Sequence, residues 1–340
     1  MKYLITLILI LTLDIYSYCQ NDLLTAIGFY NLENLFDTLD AADIQDTEFT
    51  PTGDKIWTSE KYNKKLENLS DVISQLATDK IKDGVAILGI CEIENRNVVE
   101  DLVNMPKLKD RNYQIIHFES NDRRGIDIGM LYQSKYFLPE FAEPVPVDLY
   151  EGNEKVFTRD ILYVRGIFLG EIMNILINHW PSRAGGEAKT APWRAAAATK
   201  CRNIIDSISL IYPNSNFIVM GDLNDDPTNP SIKKYLNTAD KIKKVKGNQL
   251  FNPFEYFYDK GIGTTAYKDA WSLFDQIIIS KNLFDNKGLE YQKAYVFNKD
   301  FMIQKKGEYK GYPMRTFVGN EFMNGYSDHF PVYIYLKKYK

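Results

Sequence analysis

Cysteine and histidine are scarce in this chain of 340 residues, with three of each. No CxxC pair occurs, so no cysteine-built metal cluster and no disulfide framework can be drawn. Charge of one sign is also lacking. Lys and Arg total 41 against 45 Asp and Glu, a formal net charge of -4. The whole molecule therefore carries no electrostatic signature of a nucleic-acid binder, although a local patch or a bound cation can still serve a phosphate. Repeats, low-complexity tracts and long linkers are absent, which excludes solenoids and disordered scaffolds.

Long apolar runs are missing except at the start. "MKYLITLILILTLDIYSYCQND" has one lysine, an apolar stretch from Tyr3 to Leu13 and a polar exit. The stretch is too short for a bilayer anchor and fits a secretory leader. Ser17 and Cys19 are the small residues expected before a cut ahead of Gln20. Lipidation at Cys19 would compete, but the bulky Tyr18 beside it is a poor fit. The sequence thus predicts a leader over residues 1–19 and one domain over 20–340, secreted or periplasmic, with no stable membrane insertion once the leader is gone. Cys91 and Cys201 remain. Both sit in apolar or helical surroundings and read as small buried core residues. An exported chain would also permit a disulfide between them.

What is abundant points to a packed mixed domain. The composition is 45% hydrophobic and 25% charged, with 23 Tyr and 19 Phe. Residues 60–77 carry Tyr62, Leu66, Leu69, Val72, Ile73 and Leu76 at helical spacing, with Thr58 or Ser59 as the cap. Residues 192–211 read as an Ala-rich helix with Pro near its first turn. Strands are expected at 23–31, 84–94, 113–119 and 126–133, in a hairpin at 161–180, and at the segments "NFIVMGD", "FDQIIIS" and "FPVYIYL". About ten strands with at least three interleaved helices make an α/β (α+β) fold of packed mixed sheets covered by helices.

Polar side chains recur where the apolar runs stop. Asn31 and Glu33 end the first strand, Glu92 and Glu94 the second, and His179 a later one, with Arg183 just beyond. Asp222 and Asn224 close "FIVMGD", Asp275 opens a strand, and Asp328 and His329 precede the last. In extended chain, residues i and i+2 face the same way, so Asp222 and Asn224, Glu92 and Glu94, and Asn31 and Glu33 are expected to point together. Oxygen donors of this kind suit a hard cation, Mg²⁺ or Mn²⁺. With two histidines beside them, they suit phosphodiester hydrolysis by an activated water. Asp225 and Asp226, before Pro227, read as turn formers. His117, inside a strand, reads as a structural histidine.

The ordered blocks "FYNLEN", "CEIEN", "RRGIDIGMLY", "INHWPSR", "GDLND", "WSLFDQI" and "YSDHFPV" resemble the DNase I-like endonuclease/exonuclease/phosphatase superfamily over residues 25–336. They are similar above all to its exported bacterial nuclease-like members. The resemblance implies a four-layer sandwich of two mixed sheets between helices, with one catalytic centre on the rim. It implies that Asn31, Glu92 and Asp328 serve the metal, with Glu92 a direct ligand. It makes Asp222 the group that activates water, Asn224 the amide that holds water and phosphate, and His179 and His329 the site histidines. Asp275 would orient His329. Asp127 would be the acidic partner of His179. Beside it, Arg124 reads from the residues alone as a phosphate contact or a turn cap. Arg183, outside the shared pattern, is a candidate bidentate phosphate clamp. The implied activity is that of a monomeric nuclease on DNA or RNA. Sphingomyelin or inositol phosphates are the alternative substrates, and a non-catalytic binding protein is the alternative class.

Overall fold

The computed structural model describes residues 22–42 and 44–339. The expected leader lies outside the described residues. Thirteen strands build two sheets. In chain order they are β1 (Leu23–Leu35), β2 (Ile87–Ile93), β3 (Tyr113–Phe118), β4 (Asp127–Gln133), β5 (Phe137–Val145), β6 (Ile161–Phe168), β7 (Glu171–His179), β8 (Asn216–Asp222), β9 (Thr238–Ala239), β10 (Leu250–Phe251), β11 (Asp275–Ile279), β12 (Leu289–Val296) and β13 (Val332–Lys338). The first sheet runs β12-β13-β1-β2-β4-β3, and the second β9-β10-β11-β8-β7-β6-β5. Each has a parallel pair at its centre, β1 with β2 and β7 with β8, among antiparallel neighbours. Both sheets are therefore mixed.

Three apolar layers hold four structural layers together. Ile27, Phe29, Cys91 and Met130 of the first sheet meet Ile175, Ile177, Met220 and Ile277 of the second. The outer face of the first sheet packs Tyr30, Leu88 and Ile90 on α1 (Ser59–Gln75) and α2 (Arg96–Val103), through Leu66, Leu69 and Val99. The outer face of the second packs Leu176, Val219 and Ile278 on α3 (Glu187–Ile211), through Ala197, Ala198 and Ile205. The central strands are buried on both faces, which explains their unbroken apolar sequence. Cys91 lies between the sheets and Cys201 on the buried face of α3, and both are free thiols.

The helix expected at 60–77 is α1, and Thr58 caps it by accepting from Lys61 N at 3.4 Å. The helix expected at 192–211 starts five residues earlier. Pro192 therefore lies inside α3 and removes one ladder bond instead of marking its start. Four strands of the two sheets escape the sequence reading. One is β5, whose Pro139 and Pro144 lie on the edge of the sheet, where a missing N–H is tolerated. Another is β12, whose pattern is interrupted by a bulge between Tyr291 and Lys293. The other two, β9 and β10, are two-residue strands.

Candidate active site

The second sheet sets three polar residues in one row. Asp222, at the end of β8, is flanked in register by His179 of β7 and Asp275 of β11. Just before it, Gly221 passes so close to β7 that a Cβ would lie 2.1 Å from the Asn178 carbonyl, which only glycine allows. The first sheet faces this row with Asn31 of β1, Glu92 of β2 and, before β13, His329.

Asn31 joins the sheets. Its Nδ2 donates to Glu92 Oε1 at 3.1 Å and to Asp222 Oδ2 at 3.0 Å. Its Oδ1 accepts the Glu33 N–H at 2.9 Å, which fixes which end of the amide faces the carboxylates. Asn31 thus presents a donor to both members of the acidic pair and organises the two carboxylates. Glu92 also accepts Asn34 N at 3.0 Å.

His179 Nε2 stands 3.7 Å from both Glu92 Oε1 and Asp222 Oδ2. His329 Nε2 is 3.8 Å from Asp222 Oδ2, and its Nδ1 is bonded to Asp275 at 2.6 Å. Burial, opposed by His329 and reinforced by the Asp275 and Glu92 carboxylates, pushes Asp222 up to about 7. The histidines diverge. Burial, then the Arg159 and Arg124 guanidiniums, hold His179 well below the usual range. Burial also opposes charge on His329, but Asp275 and Asp222 outweigh it and raise its pKa well above the usual value. The surroundings thus favour the neutral form of His179 and the protonated form of His329.

The pairing of i with i+2 fails at these strand ends. Glu33, Asn34, Glu92 and Asn224 all adopt positive φ, between 48° and 60°. Glu94 is turned away and accepts the Asp37 N–H at 2.6 Å. Glu33 is directed to Lys65 and Thr316. Asn224 keeps its N–H on Asp222 Oδ1 at 3.0 Å but gives its Nδ2 to the Trp180 carbonyl. Its amide oxygen is the end left for water.

Several expected site residues are placed elsewhere. Asp127 does not reach His179. It pairs with His117 Nε2 at 3.2 Å and accepts Ser120 N at 2.9 Å, so His117 is the structural histidine and Asp127 its partner. The Nδ1 of His179 is buried without a partner. Arg183 is engaged by Asn224 O at 3.0 Å, Asp225 at 3.2 Å, Asp226 at 3.1 Å and Asn229 at 3.2 Å, and it lies on the Phe274 ring. With its fork filled, it braces the turn after β8 and is not a phosphate clamp. Asp225 and Asp226 are the turn residues expected. Asp328 accepts from Arg315 at 3.2 Å, outside the Glu92–His179–Asp222 group. Arg124 is half-exposed, held only by Asp122 at 3.3 Å.

The sequence reading missed Arg159. It is buried and donates to the His179 carbonyl at 3.2 Å, the Trp180 carbonyl at 2.7 Å and Asp122 at 2.9 Å, binding the Arg124 loop to the end of β7. Its position two residues before β6, in "FTRD", was the available signal.

The donors present fit a divalent cation. Oxygens of Glu92 and Asp222 and a nitrogen of His179 lie within 4.8 Å of one another. Two carboxylates so close, Asp222 buried and Glu92 partly so, repel each other, and a cation between them offsets that cost.

Residues 26–338 match the family described as the Endonuclease/Exonuclease/phosphatase family. The chain belongs to that family. It is accordingly a hydrolase of phosphoric ester bonds, of a superfamily whose members generally depend on divalent metal. Among solved structures it is similar to truncated Caenorhabditis elegans TDP2, at 15% identity over 92% of this chain and 97% of that one, with a TM-score of 0.55. It is also similar to the Bacteroides thetaiotaomicron mannosyl-6-phosphatase Bt3783, at 15% identity over 92% and 99%, with a TM-score of 0.54. D. rerio TDP2 complexed with single strand DNA product gives 13% identity over 92% and 98%, with a TM-score of 0.55. At such identities the likeness is one of fold. A search of curated proteins gives no match.

Proposed function

We propose that the protein is an exported, Mg²⁺- or Mn²⁺-dependent phosphodiesterase that cleaves DNA or RNA. The observation that carries this is the meeting, at one rim, of the Asn31-bridged Glu92–Asp222 pair with His179 and His329. Glu92 and Asp222 would hold the cation, which when bound polarises the phosphate and offsets its charge. Asp222, beside Glu92 and both histidines, is placed to take the proton of the attacking water. The Asn224 amide oxygen orients that water. His329, held by Asp275, meets the charge that builds on the phosphate oxygens. Arg124, half-exposed beside this rim, contacts a flanking phosphate.

The bound DNA product of the D. rerio protein supports a nucleic-acid substrate on this fold. The mannosyl-6-phosphatase supports a second reading, a phosphate ester of another small molecule on the same rim. The leader-like residues 1–19 support export, and no described helix is long and apolar enough to cross a membrane. The test is a substrate panel with Mg²⁺ and with EDTA: supercoiled plasmid, single-stranded DNA, RNA, mannose 6-phosphate, an inositol polyphosphate and sphingomyelin. Metal-dependent cleavage of nucleic acid is expected. Turnover confined to a sugar phosphate, inositol phosphate or lipid would overturn the nuclease assignment.

A further inference from the structure

Lys65 lies on the apolar stripe of α1, between Tyr62 and Leu69, and is 1% exposed. An ammonium group removed from water is costly unless acceptors converge on it. Three do. Thr316 Oγ1 lies at 2.5 Å, the Tyr326 carbonyl at 2.9 Å and the Glu33 carboxylate at 3.7 Å. Glu33 in turn accepts the N–H of Thr316 at 2.7 Å and its hydroxyl at 2.8 Å. One turn along α1, Asn68 donates to the Asn324 carbonyl at 3.1 Å and the Gly325 carbonyl at 2.9 Å. Two inward-facing helix residues therefore grip both ends of the segment 316–326.

That segment runs straight into the rim. Ser327 Oγ donates to the Asn31 carbonyl at 2.7 Å and accepts His329 N at 3.1 Å. Between Thr316 and His329 the only regular structure is a short hairpin, Phe317–Val318 with Glu321–Phe322. Apolar packing fixes volume but tolerates sliding, whereas directed, charge-assisted bonds fix orientation. Glu33 also holds a left-handed conformation, φ 50°, which a residue with a side chain rarely keeps unless its surroundings dictate it.

We propose that Lys65 and Glu33 are positioning residues for His329. They set the 316–328 segment so that the imidazole stands between Asp275 and Asp222, and neither touches the reacting atoms. The catalytic weight of this arrangement rests on the reading of His329 given above.

The three histidines make the test direct. Long-range ¹H–¹⁵N spectra of protein labelled at histidine resolve each ring, with His329→Ala assigning its signals. Lys65→Met keeps the length and packing of the side chain and removes the charge. Thr316→Val keeps the shape and removes the hydroxyl's bonds to Lys65 and Glu33, and it is read in the same way if Lys65→Met does not fold. The His329 signals are expected to move while those of His117 stay. With bis(p-nitrophenyl) phosphate and Mg²⁺, kcat is expected to fall about 10- to 100-fold with little change in KM. A folded variant whose His329 signals match wild type overturns the proposal, whatever its kcat. His329→Ala separates the two levels. If that variant is as active as wild type, the catalytic reading fails, and the spectra of Lys65→Met still decide whether the grip positions the ring.

Discussion

Asp275 holds His329 by its Nδ1 at 2.6 Å, and this leaves Nε2 directed at Asp222, 3.8 Å away. Asp275 is fully buried, so its charge acts on the imidazole with little screening. It favours the protonated ring, which burial alone would disfavour.

The first prediction follows from that sign. A histidine whose pKa is raised in the folded state keeps its charge below the raised value and loses it as pH climbs through it. Asp275→Asn removes the largest charge that raises it. His329 in that variant should titrate at lower pH, and the alkaline fall of kcat/KM should move to lower pH with it. Activity profiles of the two proteins check this. Coincident alkaline limbs would show that Asp275 does not set the state of His329.

The second concerns the pair that the structure separates from the site. Asp127 bonds His117, which lies in a buried position on β3. Asp127→Asn should lower stability by about 1–3 kcal/mol, the usual cost of disturbing a buried polar partner. Its kcat should stay near wild type. Urea unfolding and a plasmid assay measure the two. A stable variant with a collapsed kcat would return Asp127 to the catalytic set.

Arg183 gives the third. Four partners on the turn after β8 take its Nε and Nη2, and Glu187 of α3 takes Nη1 at 3.2 Å, so the fork is filled. Arg183→Met should therefore lower the Tm, with a stability loss of about 1–3 kcal/mol, and should leave KM for short oligonucleotides little changed. An unchanged Tm with a raised KM is the outcome expected of a phosphate clamp instead.

The rim was legible in the sequence because strand ends announce themselves: an apolar run stops at Asp222, at His179 and at Glu92, and pairing brings those stops into line. The side-chain directions were less legible. The i and i+2 rule assumes extended chain, and Glu92 and Asn224 leave it at positive φ, so Glu94 faces another turn. Asp127 was assigned to His179 through resemblance, while geometry gave it to His117. Lys65 was the readable signal left unread. It falls on the same stripe as Tyr62 and Leu69, where a solvated lysine has no place. Pro139 and Pro144 hid β5, since proline argues against a strand unless the strand is an edge.

The fourth prediction addresses the cation. Glu92→Gln keeps the shape of the side chain and its bond from Asn31, and removes one charge from the acidic pair. Mn²⁺ binding, followed by electron paramagnetic resonance of the free ion, should weaken about 10- to 100-fold or more. Affinity equal to wild type would place the ion elsewhere.

The most direct test of the whole account is cleavage of supercoiled plasmid by wild-type protein and by Asp222→Ala, each with Mg²⁺ and with EDTA. The account predicts cleavage by wild type that EDTA abolishes, and a loss of about 10²- to 10⁴-fold in the variant. Cleavage that persists in EDTA, or that proceeds at the wild-type rate without the Asp222 carboxylate, would contradict it.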